Sequence, residues 1–520
     1  MLDSSFDWSA GMRGSFTWAD YLVFVGMLVA SLAIGIFYAI KSRNKANDEF
    51  LLGSRSLSCF PVSMSLLASY ISAILVLGGP SEAYYHGVQW WVICAGQFAL
   101  PLSAVVFMPF FYELKLTSVY EGGMKAVVWT DVLQLFILIL GLIAVIIKGL
   151  IDMGSFQRVW EISVQHDRAG PQIFTYGYDP MERHTVANIV VSALVGKVAQ
   201  YSCTQTTIQR YVSMKSLTHA YMSIFMVIPF FILLISLTMI TGLVMFATYE
   251  GCDPLAAGLI TKKDQILPFY VMDRLSSVPG LPGLFVACIF SGALSTISSG
   301  VNSQAAVTWE DAFANIPRFA KLTSATQALL TKFLALGYGF LAVGLAFLAG
   351  NLGGVLQAAI AVTSSVAGPL LAVFIMALFM PFTNSKGACS ALVLGTAVAL
   401  SFSFGATILG IKPEILPTST DACPANLTIP LPSDTHPVRV SDLQYPQKIF
   451  GLSYTQLGPL GLVVGLVVGV LVSFLTGKSG GRRVERSLVH PWVRWSLPDP
   501  ADVTARTKAN SYDNKMSTNF

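Results

Sequence analysis

The 520-residue sequence predicts an all-α polytopic membrane protein with about eleven transmembrane helices. Hydrophobic residues make up 54% of the chain and charged residues only 12%, whereas soluble domains are typically about 25% charged. The mean hydropathy is +0.64, so much of the surface is suited to a lipid bilayer. This composition excludes a soluble enzyme, a nucleic-acid-binding protein and a disordered scaffold. The net charge of +4 is too small to indicate a polyanionic partner.

The predicted helices follow from long apolar runs, because a helix needs about 20 such residues to cross a bilayer. Eleven mostly uncharged runs have this length: 21–40, 56–81, 83–112, 126–147, 186–208, 219–247, 275–303, 326–349, 354–380, 388–411 and 450–477. The stretch 333–385 is too long for one helix, and we place its break at the turn-forming residues 350–354. The first run is not a cleaved signal peptide, since it is long and lacks a cleavage pattern.

The positions of Lys and Arg predict the orientation. If the N-terminus lies outside, most basic residues fall in cytoplasmic loops and in the tail, as the positive-inside rule requires. The basic residues assigned to the inside are Lys41, Arg43, Lys45, Arg55, Lys115, Lys125, Arg210, Lys215, Arg318, Lys321, Lys386 and those of segment 478–486. We therefore expect a multi-pass plasma-membrane protein with an extracellular N-terminus (1–16), a transmembrane domain (17–477) and a cytoplasmic tail (478–520).

The predicted outer loops carry two modification signals. A glycosylation sequon begins at Asn426, within the loop 412–449. Cys252 and Cys423 lie in two outer loops, where a disulfide is permitted by compartment. Two free cysteines are the alternative. On the opposite side, the chain ends in Ser-Thr-Asn-Phe (517–520), an ending that fits a PDZ-type partner but that also arises by chance.

Small and hydroxyl residues concentrate in the centre of span 56–81, at Ala68, Ser69, Ser72 and Ala73. One interpretation is an unwound helix, which membranes tolerate where it lines a cavity. The other is a small-residue face that packs against a neighbouring helix.

Span 275–303 contains six hydroxyl side chains between Ser291 and Ser303. Hydroxyl and carbonyl oxygens without a carboxylate suit a weakly held Na⁺ ion, whereas a divalent ion would need several carboxylates. Alternatively, these hydroxyls bond to carbonyls of their own helix.

Lys197 lies near the middle of span 186–208, where a charge costs about 2.5–3.5 kcal/mol on insertion scales. No carboxylate is expected near the middle of another span, and Asp131 and Asp273 are placed close to span ends. Lys197 could therefore pair with an anionic substrate. It could also be neutral when buried or extend to the membrane surface.

Four stretches carry a resemblance to a known family: LLASYISAILVLGGPSEAYYHG (66–87), GGMKAVVWTDVLQ (122–134), TQTTIQRYVSMKS (204–216) and FSGALSTISSGVNS (290–303). Together they resemble the eukaryotic sodium/solute symporters, most closely the branch of the multivitamin, monocarboxylate and iodide transporters. NLGGVLQAAI (351–360) and VAGPLL (366–371) strengthen that assignment. The resemblance extends from about residue 15 to 480.

This resemblance implies a leucine-transporter-like fold, in which two inverted five-helix repeats surround a site at their broken first helices. Those helices would be 56–81 and 186–208. It also implies a sodium site formed by carbonyls of Ala68, Ile71 and Gly292 and by hydroxyls of Ser295 and Thr296.

In the implied substrate cavity, Tyr70 and Gln97 would be lining residues. Leu75 stands where iodide-carrying relatives have a polar residue, which weakens iodide as the substrate. Lys197 replaces an uncharged residue of the family, and this favours an organic anion.

The chain departs from the family at one junction. Glu121 directly precedes Gly122, where relatives continue through two more helices. The first repeat is therefore predicted to be incomplete, with three spans instead of five. Removing two spans preserves the orientation of all later helices.

The predicted function is sodium-coupled symport of a small organic anion, either a monocarboxylate or a carboxylate-bearing vitamin such as biotin or pantothenate. Na⁺ is the coupling ion, and no other cofactor, nucleic acid or enzymatic activity is expected. The alternative is a non-transporting shortened isoform, regulatory or retained inside the cell. A proton-coupled carrier is disfavoured, because no chain of intramembrane Asp, Glu or His is expected.

Overall fold

Long apolar helices dominate the protein, as the hydropathy of the sequence predicts. The computed structural model describes residues 16–42, 57–114, 124–314, 316–349, 355–411, 414–424, 438, 440–477 and 489–497. The N- and C-terminal segments, the Glu121–Gly122 junction, the turn at 350–354, the sequon at Asn426 and the C-terminal tetrapeptide lie outside these residues.

The main helices of the described residues are numbered in chain order. They are α1 (Trp18–Ser42), α2 (Cys59–Tyr70), α3 (Ala73–His86), α4 (Val88–Tyr112), α5 (Met124–Met153), α6 (Phe156–Gln165), α7 (Val186–Ser202), α8 (Gln205–Val212), α9 (Leu217–Thr248), α10 (Leu281–Thr308), α11 (Ser324–Ala349), α12 (Val355–Phe379), α13 (Ser385–Ile408) and α14 (Leu457–Leu475). Nine of them in the described part of the chain are long and apolar enough to cross a membrane, some within slightly different bounds.

Two further spans are each built from a bent pair of helices. The α2–α3 pair is bent by 66° and the α7–α8 pair by 53°, which brings the possible number of spans to 11. The predicted eleven-helix architecture is therefore confirmed. Some boundaries were wrong: the second span continues to His86 instead of ending at 81, and the span predicted at 275–303 runs from Leu281 to Phe313.

The incomplete first repeat is visible in the order of the spans. Within the described residues, α4 and α5 are the only helices between the two bent pairs that are long and apolar enough to cross a membrane. The second bent pair is followed by α9, α10, α11 and α12, which complete a set of five spans. The first set thus contains three spans, as the sequence predicts.

Close helix packing around the bends depends on small residues. A methyl group added to Gly141 of α5 would lie 2.7 Å from the Cβ atom of Cys288 in α10, and one added to Gly96 of α4 would lie 2.6 Å from the Cβ atom of Ala193 in α7. Without a hydrophobic driving force between helices in lipid, such close approach is a main source of helix association.

The first helix is attached to α10 by a polar contact. The carboxylate of Asp20 is buried and accepts hydrogen bonds from the backbone N–H groups of Gly280 and Gly283, at 3.1 and 2.9 Å. These groups lie at the start of α10, where helix N–H groups lack partners within the helix. Asp20 therefore caps α10 and fixes the position of α1 beside it.

The chain divides into two compact units. The first contains residues 1–364 and 402–457, and includes both bent pairs and all candidate site residues of the sequence analysis. The second contains residues 365–401 and 458–520. Within this second unit, Gly368 approaches Gly458 so closely that an added methyl group would lie 2.0 Å from the carbonyl oxygen of Gly458.

Candidate functional site

The first helix break lies between α2 and α3. Ile71 and Ser72 adopt extended backbone conformations, with φ, ψ of −98°, 99° and −95°, 168°. Ile71 is 1% exposed, so this unwound backbone is in the protein interior. Because extended residues leave the helical hydrogen-bond pattern, carbonyl groups near the break are available to a ligand. Of the two interpretations of this span, the unwound helix is the one that the structure contains.

The second break, between Ser202 and Gln205, is joined to the first by one side chain. The Tyr70 hydroxyl donates to the carbonyl oxygen of Gln200 at 2.9 Å and lies 2.6 Å from the Thr204 hydroxyl oxygen. It also contacts the hydroxyl of Thr207. Tyr70, predicted to line a substrate cavity, thus uses its polar end to connect the two breaks.

Helix α10 packs directly against the first break. A methyl group added to Gly292 would lie 3.0 Å from the backbone nitrogen of Ala73 and 3.3 Å from the carbonyl carbon of Ser72. Ala68, in the last turn of α2, and Ile71, in the break, are also buried. The structure therefore brings together the two chain segments that the sequence analysis assigned to a sodium site.

The hydroxyls of that predicted sodium site already have hydrogen-bond partners. Ser295 donates to Oδ1 of Asp131 at 2.6 Å, and Thr296 donates to the carbonyl oxygen of Gly292 at 3.1 Å. The latter is the bond within the helix that the alternative interpretation described. A donating hydroxyl retains oxygen lone pairs, so these bonds do not prevent either oxygen from contacting a cation.

An ion pair lies beside this site, and the sequence analysis missed it. Arg210 Nη2 lies 3.2 Å from Oδ2 of Asp131, and the two side chains are 3% and 1% exposed. The expectation that Arg210 lies in a cytoplasmic loop was wrong: it belongs to α8 and is buried. Asp131 is also buried in the interior, although it is near the start of its span.

Serine hydroxyls complete the surroundings of this pair. Ser65 donates to Asp131 at 2.5 Å and accepts from Arg210 Nε at 2.9 Å. Arg210 Nη2 also donates to Ser69 at 2.7 Å and to Ser299 at 3.3 Å. A buried ion pair needs such additional hydrogen bonds to offset the loss of hydration. The network connects α2, α5, α8 and α10 around the breaks.

Lys197 is buried in α7, five residues before this helix ends at Ser202. Its ammonium group donates to Gln200 Oε1 at 3.1 Å and lies 4.0 Å from the ring centroid of Phe231. Over the described ranges, no carboxylate forms an ion pair with it. Cation–π contact and one amide stabilise the charge only partly, so an anion is an electrostatically suitable partner.

Gln97 is a second buried polar group near α7. It is 2% exposed, and neither its amide nitrogen nor its amide oxygen has a hydrogen-bond partner. Buried amides are normally hydrogen-bonded, so this side chain is available to a ligand.

A second charged network lies at the far end of α3. Arg183 donates to both carboxylate oxygens of Glu82, at 3.0 and 2.9 Å, and to Gln357 Oε1 at 2.7 Å. The ring nitrogen Nε2 of His184 lies 2.7 Å from the hydroxyl of Tyr454. Burial, followed by the charge of Arg183, lowers the pKa of His184 to about 3. Burial also opposes the charge of Arg183, but Glu82 raises the pKa of this guanidinium above its ordinary value.

Glu82 and Asp131 contradict one expectation from the sequence. A proton-coupled carrier was disfavoured because no buried carboxylates were expected in the spans, yet both are buried. Each is paired with an arginine. The spans were predicted from runs without charged residues, which placed Glu82 between two spans and Asp131 near the end of one. The sequence pattern therefore did not indicate that these carboxylates are buried.

Two loops that carry cysteines are linked. Cys252 and Cys423 form a disulfide with a Cα–Cα distance of 4.9 Å. Backbone hydrogen bonds from Asp253 to Ser419 and from Ala422 to Gly251 hold the same two loops together. Arg168 is 1% exposed and donates to the carbonyl of Pro417 at 2.6 Å. Residues 414–424 are therefore fixed to the segment 251–253 and to Arg168.

Comparison with known proteins identifies the family. The model of the sodium:solute symporter family matches residues 50–120 and 111–395. The chain belongs to this family. It is 33% identical to the human sodium-coupled monocarboxylate transporter 2 over 542 positions, covering 91% of this chain and 86% of that protein. It is 34% identical to the sodium-dependent multivitamin transporter of Oryctolagus cuniculus over 560 positions, covering 92% and 86%.

A solved symporter structure has the fold seen here. A solved structure of the substrate-bound outward-open state of a Na⁺-coupled sialic acid symporter matches with a TM-score of 0.69 and 17% identity. The match covers 89% of this chain and 99% of that one. This likeness supports the leucine-transporter-like architecture predicted from the sequence.

The length of the alignment shows that this chain is shorter than the human transporter within the aligned region. Because 91% of this chain is about 473 residues, about 70 of the 542 positions aligned with the human transporter have no residue here. The two stretches matched by the family model meet at residues 111–120, directly before the Glu121–Gly122 junction. Two spans with their loops have about this length.

Proposed function

We propose that this protein is a sodium-coupled symporter of a small organic anion, of the monocarboxylate or carboxylate-bearing vitamin class. The observation that carries the substrate class is the buried ammonium group of Lys197, which lies five residues before the end of α7 and has no carboxylate partner among the described residues. Leu75, at the first break, offers no polar contact to iodide, so an organic anion is the better candidate.

Sodium is the proposed coupling ion. Its ligands would be the carbonyls of Ala68, Ile71 and Gly292 and the hydroxyls of Ser295 and Thr296. The close contact between Gly292 and the first break supports this assignment, because it brings these two segments within reach of one ion. No other cofactor is required.

Coupling follows if both ligands favour the same conformation. Sodium at the first break would stabilise the arrangement of α2, α3 and α10 in which the second break is accessible. The anion would then bind near Lys197, with Gln97 and the Tyr70 linkage nearby, and joint occupancy would permit closure. Two ligands are coupled only to the extent that each prefers one state over the other.

The orientation is proposed from several signals. The distribution of Lys and Arg, the sequon at Asn426 and the disulfide between Cys252 and Cys423 all favour an extracellular N-terminus and a cytoplasmic C-terminus. We place the protein in the plasma membrane, with a PDZ-type domain as a candidate partner of the C-terminus.

Replacement of Lys197 by Gln tests the substrate class. It should raise the anion concentration at half-maximal uptake about tenfold or more, the usual cost of losing a charge-assisted hydrogen bond, while the sodium dependence changes less. Lys148→Gln is the control, because Lys148 is paired with Asp152 away from the breaks. If Lys197→Gln raised the half-maximal concentrations of anion and sodium by the same factor, this would contradict the pairing of Lys197 with the anion.

A second candidate function is supported by the shortened first repeat. A chain without two of the family's helices could be a non-transporting isoform that regulates the full-length product or is retained inside the cell. Transcript reads across the codons of Glu121 and Gly122 would establish the junction. Uptake by cells that carry this chain at their surface then separates the two functions.

A further inference from the structure

Two exposed tryptophans lie on a short segment that follows α14 in the chain. We name residues 489–497 the tryptophan segment; it contains a short 3₁₀-helix, Pro491–Ser496. Trp492 is 61% exposed and Trp495 is 83% exposed. Large apolar side chains that are exposed together mark a surface that contacts another molecule or a membrane.

The tryptophan segment is attached to the end of α12. Val489 and His490 are buried, and the backbone N–H of His490 donates to the carbonyl oxygen of Leu378 at 3.1 Å. The rings of His490 and Trp492 have their centroids 4.9 and 6.4 Å from the ring centroid of Phe379. Leu378 and Phe379 are the last two residues of α12, so the segment is held at the level where this span ends.

Two more spans have an end at the same level. Phe382, in the turn after α12, stacks on Phe474 of α14 with the ring centroids 5.4 Å apart. Asn384, directly before α13, donates from its side chain to the hydroxyl of Thr476, directly after α14, at 3.0 Å. Because membrane spans end where the hydrocarbon meets the headgroups, the tryptophan segment lies at the bilayer surface.

The charge of the tryptophan segment suits an anionic surface. Arg494 lies between the two tryptophans in sequence, and its Nε donates to the carbonyl oxygen of Val489 at 2.9 Å. Among the described residues, no carboxylate forms an ion pair with Arg494. The other donors of its guanidinium group can bind phosphate or carboxylate oxygens. The segment itself has no acidic residue, and the eleven residues before it carry four basic side chains and one acidic side chain.

We propose that the tryptophan segment binds anionic phospholipid headgroups at the bilayer surface. The indole rings of Trp492 and Trp495 occupy the boundary between hydrocarbon and headgroups, where tryptophan is enriched in membrane proteins. Arg494 binds a headgroup phosphate or carboxylate. The choice of an anionic lipid rests on the proposed orientation, because anionic lipids are concentrated in the cytoplasmic leaflet. Binding attaches the end of α12 to the bilayer surface through the His490 contacts.

The test uses the purified full chain in nanodiscs that contain increasing fractions of brominated phosphatidylserine or brominated phosphatidylcholine. Bromine quenches tryptophan fluorescence on contact. The difference in emission between the wild-type chain and a Trp492→Phe/Trp495→Phe double variant isolates these two residues. One basic side chain at an anionic surface contributes a factor of about 5 in affinity. We therefore expect half-maximal quenching of the difference signal at an about fivefold lower fraction of phosphatidylserine than of phosphatidylcholine.

Variants of two residues assign this preference to the segment. Arg494→Gln should make the two lipids equally effective, and Arg494→Lys should retain the preference. The Ser496 hydroxyl donates to the carbonyl oxygen of Val493 at 2.7 Å. Ser496→Glu adds a negative charge near Arg494 and should reduce the preference. Ser496→Ala is the matched control, because it loses the same hydrogen bond without adding a charge. Thermal unfolding and size-exclusion profiles establish that each variant is folded.

The outcomes do not depend on transport. A preference for phosphatidylserine that is lost in Arg494→Gln supports the proposal even if the chain shows no sodium-dependent uptake, in which case only the proposed function fails. Equal quenching of the wild-type signal by both lipids overturns the binding of anionic headgroups. A preference that is unchanged in Arg494→Gln and in Ser496→Glu overturns its assignment to this segment. Absence of quenching by either lipid would place the tryptophans in water or against a protein partner, and overturns the proposal as well.

Discussion

The hydroxyl of Tyr70 donates a hydrogen bond to the carbonyl oxygen of Gln200, 2.9 Å away, and so connects the two broken helices of the protein. Tyr70 is the last residue of α2, and Gln200 lies in the final turn of α7. Together with the hydrogen bond from Arg210 of α8 to Ser69 of α2, this side chain links the two broken helices directly. This connection provides a structural route for coupling between sodium and an anion.

Replacing Tyr70 by Phe should weaken that connection. Loss of the hydroxyl removes about 1 kcal/mol of hydrogen bonding, equivalent to a factor of about 5 in affinity. We expect the anion concentration at half-maximal uptake to rise by this factor at unchanged surface expression. Uptake kinetics provide the measurement. Tyr176→Phe, at a position 73% exposed, is the control. Identical kinetics for both variants would show that the connection has no role in transport.

The ion pair of Arg210 and Asp131 should behave as one unit. Either Asp131→Asn or Arg210→Gln leaves an uncompensated buried charge, at a cost of about 3–5 kcal/mol. The double variant removes both charges and should be more stable than either single variant. Thermal unfolding of the purified wild-type protein, the two single variants and the double variant measures this difference in a double-mutant cycle. Additive losses in the double variant would mean that the two side chains do not stabilise each other.

Thr296 tests the sodium site. Replacement by Ala removes a proposed ligand oxygen, so the sodium concentration at half-maximal uptake should rise several-fold while the anion dependence changes less. Ser298→Ala is a matched control, because this hydroxyl is on the same helix and donates to the carbonyl of Ser295. An unchanged sodium dependence in Thr296→Ala would remove Thr296 from the ligand set.

The low pKa of His184 leads us to expect that the folding stability depends on pH. Burial and Arg183 hold its pKa at about 3, below the ordinary value of 6.5. The unfolded chain therefore binds a proton at this residue between about pH 6.5 and 3 while the folded chain does not, and folding stability falls as the pH decreases through this range. His184→Gln should reduce the slope of thermal stability against pH. An unchanged slope would show that His184 does not contribute.

Much of the fold could be predicted from the sequence, because apolar runs of about 20 residues have few alternatives in a membrane protein. The small and hydroxyl residues around Ser72 were compatible with the first break. Local pattern alone could not decide between an unwound segment and a packing face, since both use the same residue types. The resemblance to the symporter family favoured the unwound segment, and the extended backbone at Ile71 shows that the helix is broken there.

The charged networks could not be predicted in the same way. Arg210 and Asp131 are 79 residues apart in sequence, and each lies near the end of an apolar run, where a charge is ordinarily solvated. The positive-inside rule assigned Arg210 to a loop because it scores position along the chain and not tertiary contacts. The bend between α7 and α8 returns Arg210 to the protein interior, and only the three-dimensional arrangement shows this.

The central claim is that this chain, with three spans in its first repeat, transports an organic anion with sodium. The most direct measurement is uptake of labelled pyruvate, lactate, biotin, pantothenate and iodide by cells that express it, with and without sodium, normalised to the amount at the surface. We predict sodium-dependent uptake of at least one of the carboxylates, reduced by Lys197→Gln. A folded protein at the surface without sodium-dependent uptake of any of them would contradict the claim.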